Sequence, residues 1–209
     1  MLTIPSPNTD RSLLTLAERR ASVGLAEGDS SRDDELTAMG HYVDAMITSA
    51  CGVVKSGAIP PTLRLETVIE TYQFKSWQTG LILSRMPVVE VTAVTEAESG
   101  LAADDWDLDG QTLYRFNGSA RANWAVGETS VTYSAGWAVV PYDLKYAAIK
   151  FMKIEDTSGT RDPLLRRIVL PDVIEKEYWV DPTKDQIVPA EVMSILEHGG
   201  YINKFPWMR

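Results

Sequence analysis

Three groups of residues in this 209-residue chain have types and spacings that could support chemistry. The first is Asp105-Trp106-Asp107-Leu108-Asp109-Gly110, preceded by Asp104, which imitates the opening of a calcium loop: acids at the first, third and fifth places and glycine at the sixth. The twelfth place, which should supply a bidentate glutamate, is Phe116. Alternation of Trp106 and Leu108 with aspartates is also how a strand entering a tight turn reads, and that reading is preferred. The second is His41, close along an expected helix to Asp34, Asp44 and Thr48, a histidine and carboxylate grouping suited to proton transfer. Cys51 follows ten residues later on that helix, about three turns on, so the two cannot act there as base and nucleophile. The third is His198, just before Gly199-Gly200, where a cation complements the negative end of a helix dipole without any catalytic role.

Cys51 is the only cysteine, which excludes an intrachain disulfide and a multi-cysteine zinc site. No glycine-rich phosphate loop, nucleophile elbow or H-E-x-x-H motif occurs. The expectation is a chain without enzymatic activity, metal or cofactor. Trp77, Trp106, Trp124, Trp137, Trp179 and Trp207 could form a carbohydrate platform or anchor an interface. A small carbohydrate- or protein-binding β module is therefore the alternative to a structural role.

The elements that must position these residues read as α+β. Short helices and loops come first: an extended N-terminus, a helix over 12–23, an acid-rich loop, and an amphipathic helix over 32–55 opened by a Ser31/Asp34 capping box. Gly57 and Pro60-Pro61 end helical structure, and residues 65–134 read as strands of a small antiparallel sheet or sandwich, with Asp109-Gly110 and Asn117-Gly118 as turns. In Glu128–Asp156 the hydrophobic period changes from two to about 3.6, so a strand over 130–134 joins a core helix over 141–158 that opens with Pro141 and Asp143. On that helix Leu144, Ala147, Ala148, Phe151 and Ile154 share the core arc, while Tyr146 and Ile149 project on the lysine side as a candidate subunit interface. Residues 1–158 are read as the core domain and 159–209 as a C-terminal arm, with a strand near 173–179, a short helix over 189–198 and an aromatic tail.

The charge of -9 is uneven. Residues 1–60 hold eight acids and five bases, 61–140 ten and five, and 141–209 eleven and ten. Gripping a phosphate backbone requires clustered Lys and Arg, so the chain reads as a poor sequence-independent binder of DNA or RNA, whereas an acidic wall along which DNA slides is compatible. No apolar run approaches the roughly 20 residues of a membrane helix, and MLTIPSPNTD has neither the basic nor the apolar region of a secretory signal.

Taken in order, the stretches LLTLAERRASVGL and DDELTAMGHYVDAMITSACGVV, then LSRMPVVEVTAV, then VTYSAGWAVVPYDLKYAAIKFM, and finally IVPAEVMSILEHGGY resemble the head-tail connector proteins of tailed bacteriophages, also called adaptor or head-completion proteins, and their relatives in phage-like gene transfer particles. The resemblance implies a ring, usually of twelve copies, fixed beneath the portal protein. Such a ring extends the DNA channel and offers a surface to a stopper or tail-completion protein. It implies no reaction and no cofactor, and places the chain in the host cytoplasm during assembly and then at the head-tail interface of the particle. The C-terminal arm would dock on the portal, with Tyr178, Trp179, Tyr201, Phe205 and Trp207 as its candidate contacts.

Overall fold

A computed structural model describes residues 1–159, 167–170, 174–177 and 187–203. The fold is α+β, as expected. Its elements are β1 (Leu2–Ser6), α1 (Leu16–Ser22), α2 (Asp33–Ala50), β2 (Glu66–Phe74), β3 (Leu81–Ile82), β4 (Val88–Glu96), β5 (Ser99–Gly100), β6 (Trp106–Asp109), β7 (Thr112–Asn117), β8 (Ala120–Ala122), β9 (Gly127–Ala135), α3 (Tyr142–Gly159), β10 (Arg167–Leu170), β11 (Ile174–Glu177) and α4 (Ala190–His198).

Two antiparallel sheets face each other. The larger has the order β1-β2-β9-β4-β5; the smaller runs β3-β7-β6, with β8 also on β7. Period-two alternation along β9 sends Val131, Tyr133 and Ala135 inward, where they meet Val68, Val91 and Val94 of the same sheet and Leu81, Leu113 and Trp124 from the other side. Both hairpin signals in the small sheet are real turns. Asp109 pairs with Thr112 around Gly110 (φ +62°), and Asn117 pairs with Ala120 around Gly118 (φ +61°), each glycine taking the left-handed conformation that a side chain resists.

A second core lies among the helices. Leu36, Val43 and Ile47 of α2, Leu144, Ala147, Ala148, Phe151 and Met152 of α3, and Val192 and Leu196 of α4 are buried together. Ion pairs Arg20–Asp33 (2.5 Å), Arg32–Asp156 (2.6 Å) and Lys145–Glu18 (2.6 Å) fasten the outer surfaces of α1, α2 and α3 to one another.

Several boundaries differ from those the sequence suggests. The N-terminal stretch expected to be an unpaired tail is the edge strand β1, because Leu2 and Ile4 alternate into the β core. The first helix starts at Leu16, where Thr15 and Glu18 form a capping box. The box expected at Ser31 is absent: Arg32 is the cap residue of α2 and makes no side-chain capping bond. That helix stops at Ala50 because Gly52 turns left-handed (φ +69°), so Val53 and Val54 leave it. The strand expected near 173–179 is β11, and its partner β10 was not anticipated. Helix α4, assigned by sequence to an arm, packs into the same core as α1–α3.

Candidate assembly surfaces

Of the groups singled out for chemistry, Cys51, Asp44, Asp105 and His198 are engaged in local structure, whereas His41, Asp107 and Asp109 face solvent. Burial pushes the Cys51 thiol up to about 12, and its backbone carbonyl accepts a bond from the Asn203 amide (2.9 Å). Asp44 lies inside the α1–α2 contact, accepting from Arg19 Nη2 (3.0 Å) and from the Leu13 amide (3.2 Å). His41 is exposed and lines a shallow groove of about 470 Å³ with Asp10, Arg64 and Val139. His198 places Nδ1 2.7 Å from the Ser194 carbonyl one turn back, at the end of α4. In the aspartate run, Asp105 turns to Arg115 (3.6 Å) while Asp107 and Asp109 point outward from β6. Among the described residues no three His, Cys, Asp or Glu side chains converge as metal ligands.

Among the described residues the tryptophans Trp77, Trp106, Trp124 and Trp137 do not form a platform. Trp124 is fully buried with its Nε1 donating to the Leu113 carbonyl (3.2 Å), Trp106 packs on the β core, and Trp137 packs on the helical core. Trp77 is 66% exposed.

Of the residues expected in a docking arm, Tyr178, Trp179, Phe205 and Trp207 lie outside the described residues. Tyr201 is placed in the helical core, 7% exposed, edge-on to Trp137 with ring centres 5.9 Å apart. Its hydroxyl donates to Asp143, and desolvation together with that carboxylate pushes its pKa upward. The turn that sends it inward is made by Gly199 and Gly200. A Cβ on Gly199 would stand 2.3 Å from the Tyr201 ring, and Gly200 is left-handed (φ +69°). Asn203 then ties the chain to both layers, its amide on Cys51 and its Nδ2 on the Ser84 carbonyl (3.0 Å). The readable signal was the apolar residue just after a Gly-Gly helix stop, which commonly folds back on the last turn.

Of the candidate interface pair on α3, Tyr146 is exposed, with Lys150 Nζ 5.8 Å from its ring centre, while Ile149 is half-buried against the helical core. Residues that the sequence reading missed stand out beside Tyr146: Val139 and Tyr142 are 80% and 91% exposed. Both precede or open α3, where a helical arc is too short to reveal a face.

No known family profile and no curated protein matches the chain. Solved structures do. A chain in the neck of an empty gene transfer agent particle, computed with C6 symmetry, superposes with a TM-score of 0.55 at 19% identity, covering 82% of this chain and 89% of that one. A chain in the virion of a native gene transfer agent particle gives 0.54 and 19% over the same shares. At this identity the likeness is one of fold, and it extends over most of both chains.

Proposed function

We propose that the chain is a structural, non-enzymatic component of the neck of a phage-like particle, where copies form a ring of adaptor type between the portal protein and a stopper or tail-completion protein. The observation that carries this reading is the shared fold with chains of gene transfer agent particles, one of them a neck computed with C6 symmetry. Its titratable groups support it as well: Asp44 and Cys51 are spent on holding the helices and the C-terminal segment, not on a reaction. A ring of twelve, a DNA channel lined by the acidic middle of the chain, and assembly in the host cytoplasm before incorporation into the particle belong to the same proposal. Contact between copies involves the Tyr146 side of α3, with Ile149 at its inner margin.

The docking arm in this reading begins after the buried anchor Asn203 and includes Phe205 and Trp207, with Tyr178 and Trp179 from the preceding segment. Tyr201 belongs to the core. Deletion of 204–209 should therefore leave folding unchanged and abolish attachment to portal rings. Electron microscopy of purified chain mixed with portal rings tests this: an added layer with the full chain and none with the truncated one is expected. No layer with the full chain, or an equal layer with both, refutes the adaptor reading or the arm assignment respectively.

A further inference from the structure

A groove of about 500 Å³ opens beside β2 where β1 stops covering it. Met1 and Thr71 exchange both main-chain bonds (2.5 and 2.8 Å), which is as far as β1 follows β2, yet β2 runs on to Phe74. On its other side β2 is regularly paired with β9 up to Phe74–Gly127. Successive residues of a strand offer N–H and C=O to alternate sides, so Gln73, two beyond Thr71, turns its pair into the groove. The wall is aromatic and neutral: Tyr72 and Phe74 stack with ring centres 5.9 Å apart, Leu81 of β3 lies beside them, and Met1 is 84% exposed. Its two charged groups, the Met1 ammonium and Glu70, are already bonded, one to the Thr71 carbonyl and the other to Ser84 and Tyr133. A main-chain edge over such a wall is a seat for an extended peptide segment, recognised without ionic contacts.

One segment of this chain starts at the wall. Asn203, 5% exposed, donates from Nδ2 to the Ser84 carbonyl (3.0 Å), and Ser84 lines the groove. The Ser84 amide donates to Glu70 (3.0 Å), so the segment leaves the core at the Glu70 end. From Glu70 to Phe74 is four strand steps, about 14 Å. Residues 204–209, with the sequence KFPWMR, can extend over about 20 Å, enough to run the length of the groove from Asn203.

We infer that residues 204–209 are seated in this groove of their own copy before assembly and are drawn out when the arm engages its partner. In that seat Phe205 and Trp207, two positions apart in an extended segment, share the side that faces the Tyr72 and Phe74 rings, where aromatic contact adds to burial. Pro206 has no N–H to offer, which leaves Met208, farther along the groove, as the residue that pairs with Gln73. The inference rests on the arm assignment above and adds where the arm is kept.

Amide hydrogen exchange at Gln73 tests this, with Ile69, which β1 covers in either case, as the internal reference. In the full chain Gln73 should exchange at least about 10-fold more slowly than in a chain ending at Asn203. A synthetic KFPWMR peptide added to the shorter chain should restore the slower rate, and portal rings added to the full chain should speed Gln73 again while Ile69 holds. Equal Gln73 exchange with and without 204–209 overturns the seat and leaves the arm assignment standing, since that is judged by attachment to portal rings. Slow exchange that fades on dilution makes the occupant a second copy and overturns the own-copy contact. Portal rings that attach without speeding Gln73 overturn the withdrawal. A shorter chain that still attaches to portal rings, with Gln73 slow in the full chain, overturns the arm assignment instead.

Discussion

Substitution of Gly40 by alanine should destabilise this protein, opposite to the usual effect in a helix. Alanine inside a helix is about 1 kcal/mol better than glycine, and Gly40 lies within α2 with no special backbone conformation. The reason for glycine is Arg19. Its guanidinium lies flat across α2, and a Cβ at position 40 would come within 2.3 Å of Cζ and 2.4 Å of Nε. Arg19 is buried, held by Asp44 (3.0 Å) and the Thr37 carbonyl (3.4 Å). The side chain is flexible enough to swing away, but only by giving up Asp44 and leaving that carboxyl buried without its partner. Breaking one side of a buried pair costs about 3–5 kcal/mol, so after the helix gain the net loss is about 2–4 kcal/mol. Urea denaturation followed by circular dichroism reads it directly. The same substitution in an Arg19→Met background should revert to neutral or stabilising, since the clash is gone. A Gly40→Ala chain more stable than the parent would refute the assignment of Arg19 as the group that excludes a side chain.

Burial holds the Asp44 carboxyl up at about 6, against the opposing pull of Arg19 and the Leu13 amide. A carboxyl raised on folding contributes fully below its ordinary value and loses that contribution as pH climbs through the folded one, so relative to Asp44→Asn the parent's stability should fall by up to about 3 kcal/mol between pH 4 and pH 7; a rise over that window contradicts the sign. Gly136→Ala should cost at least about 3 kcal/mol in a melt, because the new Cβ would meet the Arg64 carbonyl oxygen at 2.4 Å, a backbone atom that cannot step aside, at φ +104°. Tyr201→Ala should cost about 3–5 kcal/mol and Tyr201→Phe only about 1 kcal/mol, since the ring fills the helical core while its hydroxyl reaches an exposed carboxylate; equal losses would show that the bond to Asp143, not packing, anchors the segment.

The order of elements was readable because periodicity is a local property. The change from alternation to helical spacing in Glu128–Asp156 marks α3 within one residue and β9 within three, and the Asp-Gly and Asn-Gly turns mark the small hairpins. What was hidden depends on contacts between distant parts of the chain. Leu2 and Ile4 look like two apolar residues in a proline-rich tail until β2 gives them a partner, and Arg19 looks like a solvated charge until Gly40 opens a place for it. Tyr201 reads as tail because nothing in its neighbourhood announces Trp137, more than sixty residues earlier. The exposure of Tyr142 escaped for a related reason: periodicity tells which face of a helix is apolar, but whether Tyr142 is then covered by its own chain is a matter of tertiary packing alone.

A buried polar network holds β2 and β9 to segment 84–85 and reaches α2 through Asn203. Glu70 of β2 accepts from the Ser84 amide (3.0 Å) and the Tyr133 hydroxyl (3.0 Å), while the Tyr133 oxygen also accepts from the Arg85 amide (3.2 Å). Arg85 Nη1 reaches the Thr62 carbonyl (3.1 Å) and Glu66 (3.5 Å), and desolvation lowers its pKa while Glu66 opposes that change. The Ser84 carbonyl meanwhile receives Asn203, which is itself anchored on α2 through Cys51. The bonds of Glu70, Tyr133 and Arg85 hold segments 62–66 and 84–85 to strands β2 and β9, and Asn203 carries this network to α2 through its bonds to Ser84 and Cys51. Hydrophobic contacts alone would tolerate sliding, because they have no direction. The directional network therefore does what an apolar junction could not: it fixes how segment 84–85 sits on β2 and β9, and through Asn203 it ties α2 to the same place.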